Sequence, residues 1–278
     1  MNRVTSNDGT TIAYERAGSG RPLILVDGAL CSRAFGPMPK LAPLLAEQFT
    51  VFMYDRRGRG ESGDTQPYAR EREVEDIAAL IEAAGGGPVN LLGLSSGAAL
   101  ALEAAASGLN IAKVAAYEAP FMVDDGGHHA AADHEGRLKA LIEEDRRGDA
   151  VKYFMRDMVG IPAIFVLMMR LMPGMWRKLQ AVAHTLPYDA AIMNRFTVPT
   201  ARFASIRVPT LIIGGAKSEA RLQSAVRAVA EAVPGAGQRF LAGQTHNVDP
   251  KVLAPAVKEF FSASRTEAAQ PDGLASAR

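Results

Sequence analysis

With 278 residues, 48% of them hydrophobic, the chain can bury one large core or a core carrying an insertion. A formal net charge of +1, with acids and bases mixed and no basic stripe, excludes an electrostatic nucleic-acid binder. The single cysteine, Cys31, excludes an internal disulfide framework or a cysteine-built zinc site. No apolar run reaches transmembrane length or forms a signal peptide, so the expectation is a soluble, cytoplasmic protein with no membrane partner.

In chain order, Thr10 to Ala17 alternates weakly and runs into Gly18-Ser19-Gly20, which predicts a hairpin into the next strand. Pro22 to Val26 is a compact apolar run, hence a buried strand, stopped by Asp27-Gly28-Ala29. A helix with Leu41, Leu44 and Leu45 on one face follows. Thr50 to Tyr54 is a further buried strand, ending at Asp55-Arg56-Arg57-Gly58-Arg59-Gly60-Glu61-Ser62-Gly63. Val74, Ile77, Ala78 and Ile81 space out an amphipathic helix closed by Gly85-Gly86-Gly87. Val89, Leu91 and Leu92 mark a strand that turns into an Ala/Leu-rich helix, and Ile111 to Tyr117 a strand leading into Glu118-Ala119-Pro120. From about Phe121 to Phe203 the pattern is helical. The alternation resumes with a strand at Val208 to Ile213, a helix from about Glu219 to Ala232, a short strand at Arg239 to Leu241 and a last helix at Val252 to Phe261. Strands alternating with helices predict a mostly parallel α/β sheet. The expected organisation is a core of residues 1–120 and 204–264, a helical insertion over 121–203, and a disordered tail over 265–278, which is small and polar.

Gly93-Leu94-Ser95-Ser96-Gly97 sits at a strand-to-helix turn in a G-x-S-x-G frame. A serine on so sharp a turn projects its hydroxyl from the backbone. Side chains at the flanking glycines would strike the neighbouring strand and helix, and the helix N-terminus favours developing negative charge. The frame centres Ser95, not Ser96, as candidate nucleophile. Gly58 to Gly63 also satisfies G-x-G-x-x-G, but a polar loop through Pro67 separates it from the next helix, and Glu82, some twenty residues on, lies inside a helix. A dinucleotide site is therefore set aside. Asp124, Asp125, His128, His129, Asp133 and His134 have the density of a metal cluster. A solvated hinge around Gly126-Gly127 is the preferred reading, so no cofactor or metal is expected.

The elbow, the polar Asp55–Ser62 stretch after a strand, Asp27-Gly28 after an early strand and a late His246 before a terminal helix together resemble the α/β-hydrolase superfamily. The resemblance runs from Arg3 to about Phe261 with the helical insertion interrupting it. It implies a mostly parallel eight-stranded sheet flanked by helices, with 121–203 as a cap over the active site. Of five histidines, His246 occupies the family's position for the base that activates the serine. The third member is a carboxylate that fixes the imidazole. Where many members carry an aspartate, this chain reads Gly214-Gly215-Ala216-Lys217-Ser218-Glu219. A second known position is filled by Glu118, whose place at the end of a buried strand demands a partner. Glu118 leads and Glu219, which also suits a helix N-terminus, is the alternative. Backbone N–H groups of Ala29 and Ser96 are the expected oxyanion hole. Asp27 replaces the family's usual histidine there and is expected to point its carboxylate away.

The Met-rich segment suggests Met155, Met158, Met168 and Trp176 as an adaptable pocket lining, with cap-core packing or a dimer surface equally open. Cys31 is read as a packed small residue. The expected function is hydrolysis of a small to medium apolar ester, thioester or lactone by a monomer or homodimer. A carbon–carbon bond hydrolase or acyltransferase with the same triad, and a non-catalytic ligand-binding protein on the same scaffold, are the alternatives.

Overall fold

The apolar runs pair into a single sheet. The structure, a computed structural model, describes residues 1–121 and 133–263. Its strands are β1 (Asn2–Thr5), β2 (Thr11–Ala17), β3 (Arg21–Val26), β4 (Phe49–Tyr54), β5 (Val89–Leu94), β6 (Ile111–Tyr117), β7 (Thr210–Gly215) and β8 (Gly237–Leu241), in the spatial order β1-β2-β4-β3-β5-β6-β7-β8. From β4 to β8 every pairing is parallel, and only those of β2 are antiparallel. Such a sheet needs apolar side chains on both faces. Accordingly β5 and β7 are buried at every position.

Period-two alternation distributes the strands' side chains between two cores. Ile24, Val26, Leu91 and Val114 pack under α2 (Arg70–Ala83), α3 (Ser96–Ala106) and α10 (Ala220–Ala232). Leu23, Leu25, Leu92 and Ala115 pack on the opposite face, under α1 (Met38–Leu45) and α11 (Pro250–Ser262). Helix α3 is buried from Ser96 to Ala105, which explains its small side chains: it lies close against the strands that carry the elbow.

One sequence expectation is corrected. Gly18-Ser19-Gly20 does not form a hairpin between β2 and β3. β2 pairs with β4, Tyr14 opposite Tyr54, and β3 lies on the far side of β4. The hairpin is instead β1–β2, through a turn in which Gly9 N–H donates to the Ser6 carbonyl. Edge strand β1 escaped the sequence reading because it is mostly exposed and carries no apolar run.

Between β6 and β7 lie α4 (His134–Glu143), α5 (Arg147–Tyr153), a π-helical turn (Phe154–Met158), α6 (Ala163–Arg170), α7 (Pro173–Ala181), α8 (Leu186–Ile192) and α9 (Thr200–Phe203). They enclose a third apolar cluster, including Leu138, Val151, Met155, Trp176 and Leu179, that reaches Leu30 in the loop after β3. Ile192 and Phe203, late in the insertion, join the main core, with Phe203 edge-on to Phe121. The expected tail over 265–278, and Asp124, Asp125, His128 and His129, lie outside the described residues. Asp133 caps α4 through Gly136 N–H at 2.9 Å, and His134 Nδ1 lies 2.8 Å from the Tyr153 hydroxyl. Among the described residues no three His, Cys, Asp or Glu side chains gather as a metal site, and no helix is long and apolar enough to cross a membrane.

Candidate functional site

Ser95 stands between the end of β5 and the start of α3, with φ 56° and ψ −127°. This is a sparsely populated conformation that persists only where the surroundings enforce it. The enforcement is visible at the flanking glycines. A Cβ on Gly93 would lie 2.3 Å from the Gly97 carbonyl oxygen, and one on Gly97 would lie 2.2 Å from the Val26 carbonyl oxygen. The Ser95 N–H donates to the Tyr117 carbonyl at 2.9 Å, tying the elbow to β6.

Glu118 follows directly on the end of β6, with φ 45° and no exposed surface. Its Oε1 accepts the Gly215 N–H at 2.7 Å and the Ser218 hydroxyl at 2.5 Å. Its Oε2 lies 2.8 Å from His246 Nδ1. The loop after β7 and the residue after β6 thus meet: Ser218 donates to the carboxylate supplied by Glu118. Glu219 does not reach His246. It is exposed and pairs with Arg221 at 2.6 Å. The loop carrying His246 is held by the Tyr117 hydroxyl, which donates to the Thr245 carbonyl at 2.6 Å.

Ser95 and His246 open into one cavity of about 490 Å³, which Ala29 and Ser96 also line. The volume is that of an ordinary small-molecule site. Its far wall comes from the insertion: Phe154, Met158, Ile161, Met193 and Phe196. Of the pocket residues suggested by the sequence, Met158 alone lines it. Met155 and Trp176 are buried in the insertion's own core, since Met155 falls one position round the turn from Phe154, and Trp176 faces α5 at Gly148. Met168 projects from α6 and is more than half exposed. The Arg221 guanidinium donates to the Val159 carbonyl and so ties the N-terminal end of α10 to the cavity lip.

Asp27 is buried, and its Oδ1 accepts its neighbour's N–H, that of Gly28, at 2.9 Å. It does not line the cavity. Burial pushes its carboxyl up to about 7, against the pull of the Gly28 N–H and of Arg59. The Cys31 thiol lies beside this carboxyl, while Oδ2 makes no geometrically sound hydrogen bond. Cys31 is itself driven upward by burial and by the adjacent Asp27, which disfavours a reactive thiolate.

An ionic hub beneath the site went unread in the sequence. Asp189 of α8 is fully buried and accepts Arg56 at 2.8 Å, Arg59 at 2.6 Å and the Ser96 hydroxyl at 2.8 Å. Arg56 is chelated by Glu73 at 2.6 and 2.8 Å and donates to the Asp27 carbonyl; Arg59 donates to the Gly28 carbonyl at 2.6 Å. Burial alone would raise the Asp189 carboxyl, but Arg59, Arg56 and the Ser96 hydroxyl outweigh it and hold it below 3.8. The hub joins insertion, elbow and the loop after β3. Its one sequence signal was a lone acid in the otherwise uncharged Leu186–Ile192. Arg59 lies within the Gly58–Gly63 stretch set aside as a dinucleotide loop, and Arg56 two residues before it. In the structure that stretch closes on itself, Gly58 N–H donating to the Gly63 carbonyl, well before α2 begins.

Comparison with known proteins fits this geometry. An alpha/beta hydrolase from Sphaerobacter thermophilus DSM 20745 superposes with a TM-score of 0.87 at 52% identity, covering 94% of this chain and all of that one. The enol-lactonase from Burkholderia xenovorans LB400 superposes at 0.65, with 20% identity, 94% of this chain and 100% of that chain covered, a likeness of fold alone. A Mycobacterium tuberculosis protein named for non-heme bromoperoxidase activity, BpoC, is 30% identical over 93 residues; the match spans 33% of this chain and only 35% of that protein's length. Residues 18–256 match the family model described as the alpha/beta hydrolase family. With that match and the eight-stranded sheet, the chain belongs to the alpha/beta hydrolase family.

Proposed function

We propose that the protein is a serine hydrolase that cleaves a small to medium apolar ester, thioester or lactone through an acyl-enzyme on Ser95. The observation carrying this reading is the convergence on one cavity of a strained elbow serine and a histidine whose Nδ1 faces a buried carboxylate. With Nδ1–H donated to Glu118, the imidazole keeps Nε2 as the acceptor for the Ser95 proton. Ser95 Oγ then attacks the carbonyl carbon. The resulting oxyanion is met by the N–H groups of Ala29 and Ser96; the latter opens α3, where the first amides have no intrahelical acceptor. His246 passes its proton to the departing alkoxide or thiolate. It next deprotonates water, which attacks the acyl-enzyme and releases the acid and Ser95.

Glu118, fixed by Gly215 and Ser218, holds the imidazole tautomer and stabilises the imidazolium. The insertion acts as a cap: Phe154, Met158, Ile161 and Phe196 offer an apolar wall to the acyl or alcohol group.

The test is hydrolysis of p-nitrophenyl esters from acetate to decanoate by the wild type and by Ser95→Ala. The expected result is turnover that depends on chain length and is lost in Ser95→Ala. Turnover surviving in Ser95→Ala refutes the nucleophile, and no turnover of any ester by the wild type refutes the ester member of the substrate class.

A further inference from the structure

Eight large hydrophobic residues are exposed among the described residues, and six of them lie within nine positions: Ile164, Phe165, Leu167, Met168, Leu171 and Met172. Each is more than half exposed. Ile164, Leu167, Met168 and Leu171 have the i, i+3, i+4, i+7 spacing of one helix face. That face is turned outward along α6 and its C-terminal cap, Leu171, while the one buried side chain of the helix, Val166, is on the opposite side. Scattered exposed apolar residues need no explanation, but a patch gathered on one helix does.

Along this segment of the chain the charge is one-sided. From Met158 to Tyr188 there is no acidic residue, while Arg170, Arg177 and Lys178 are all exposed and none forms an ion pair among the described residues. Arg177 donates to the Pro173 carbonyl at its own helix start, and Lys178 lies over the Phe35 ring.

We propose that this α6–α7 face docks the protein on an anionic lipid bilayer. An outward apolar helix face fringed by lysine and arginine is the chemistry of an interfacial helix: the apolar side chains enter the acyl boundary and the cations meet the headgroups. Charge complementarity favours this occupant over a second copy of the chain. A two-fold self-interface would bring the same three cations of each copy together. The inference departs from the expectation of no membrane partner, which rested on the absence of a spanning segment. Peripheral docking needs none. The placement also has a consequence for access. α6 begins at Ala163, directly after Pro162, and Val159 to Pro162 form the lip of the Ser95 cavity.

The test is sedimentation of the purified full chain with vesicles of phosphatidylcholine alone and of phosphatidylcholine mixed with phosphatidylglycerol. The wild type is expected to bind the mixed vesicles, with binding weakened by salt. Phe165→Ser/Leu171→Ser should lower that binding at least tenfold. Arg170→Gln/Arg177→Gln should abolish the preference for mixed over neutral vesicles. These side chains are exposed and lie off the cavity, so both variants should keep the wild-type melting temperature. If the serine pair fails to fold, Leu171→Gln alone gives the same readout. No binding of mixed vesicles by the wild type overturns the proposal, as does binding unchanged in the apolar variants. Equal binding to both vesicle types refutes the anionic selectivity. A wild-type dimer in light scattering that Phe165→Ser/Leu171→Ser dissociates, without vesicle binding, would assign the face to a second copy instead.

Discussion

Asp189→Asn isolates the ionic hub that no local pattern announced. The substitution keeps the side chain's shape and removes its charge. In the wild type one carboxylate oxygen serves Arg56 and Ser96 and the other serves Arg59. An amide offers a single acceptor oxygen; its NH2 must then face a guanidinium, donor against donor. Arg56 keeps both Glu73 contacts, so the loss falls chiefly on Arg59, left with the Gly28 carbonyl and the Thr185 hydroxyl. Breaking a buried pair from one side costs about 3–5 kcal/mol. The partners that Arg56 and Arg59 retain place the expected loss near the lower end, about 3 kcal/mol. For a domain of this size that corresponds to a fall in Tm of roughly 6–12 °C. Urea unfolding and calorimetry at neutral pH measure it. The pH sign also follows. Because the Asp189 carboxyl is held below 3.8 in the folded state, its contribution is complete above that pH and is lost only as pH falls through the lower folded value. The gap between wild type and variant should therefore close in strong acid. A loss under about 1 kcal/mol at neutral pH would show that the hub is electrostatically idle and refute the reasoning.

Glu118→Gln should lower kcat by about 10³–10⁴-fold, the scale found when a triad carboxylate becomes an amide, while Glu219→Gln, whose partner is Arg221, changes it less than about threefold; steady-state kinetics on one ester separates the two acids. Asp27 gives the opposite pH sign to Asp189. Its carboxyl sits at about 7 folded against 3.8 ordinarily, so the folded state holds the extra proton between those values and stability falls as pH rises through that window. Asp27→Asn has no such proton, and its stability relative to the wild type should rise by on the order of 3–4 kcal/mol between pH 4 and pH 8 in urea titrations; a pH-independent difference would show that the carboxyl titrates normally. Gly97→Ala should yield little folded protein, because its Cβ would meet the Val26 and Asp27 carbonyl oxygens at 2.2 and 2.5 Å; a soluble variant with wild-type Tm contradicts that packing.

Much of the fold was legible because it was local. The runs Leu23–Val26 and Leu91–Leu92 are buried on both faces and so read as strands without a partner in view. The G-x-S-x-G frame announced its turn because two backbone approaches forbid side chains at Gly93 and Gly97. Glu118 could be singled out because a carboxylate at the end of a buried strand requires partners. The pairing of β2 with β4 was not legible, since Gly18-Ser19-Gly20 fits a hairpin as well as a crossover and register is set by distant side chains.

The sequence by itself determined the strand–helix alternation, the elbow at Ser95 and the short set of residues from which a site could be built. Each follows from steric and burial rules acting over a few consecutive positions. The tertiary structure decided that Glu118 and not Glu219 reaches His246, across 128 residues of chain. It decided that Met158 faces the cavity while Met155 and Trp176 turn into the insertion and Met168 outward. It also decided that Asp189 closes an ionic knot with Arg56 and Arg59 more than a hundred residues earlier. A residue's type and local period fix what it requires, a partner for a charge or cover for a methyl. Which distant group meets that requirement depends on helix phase and strand order, and only the folded chain sets those.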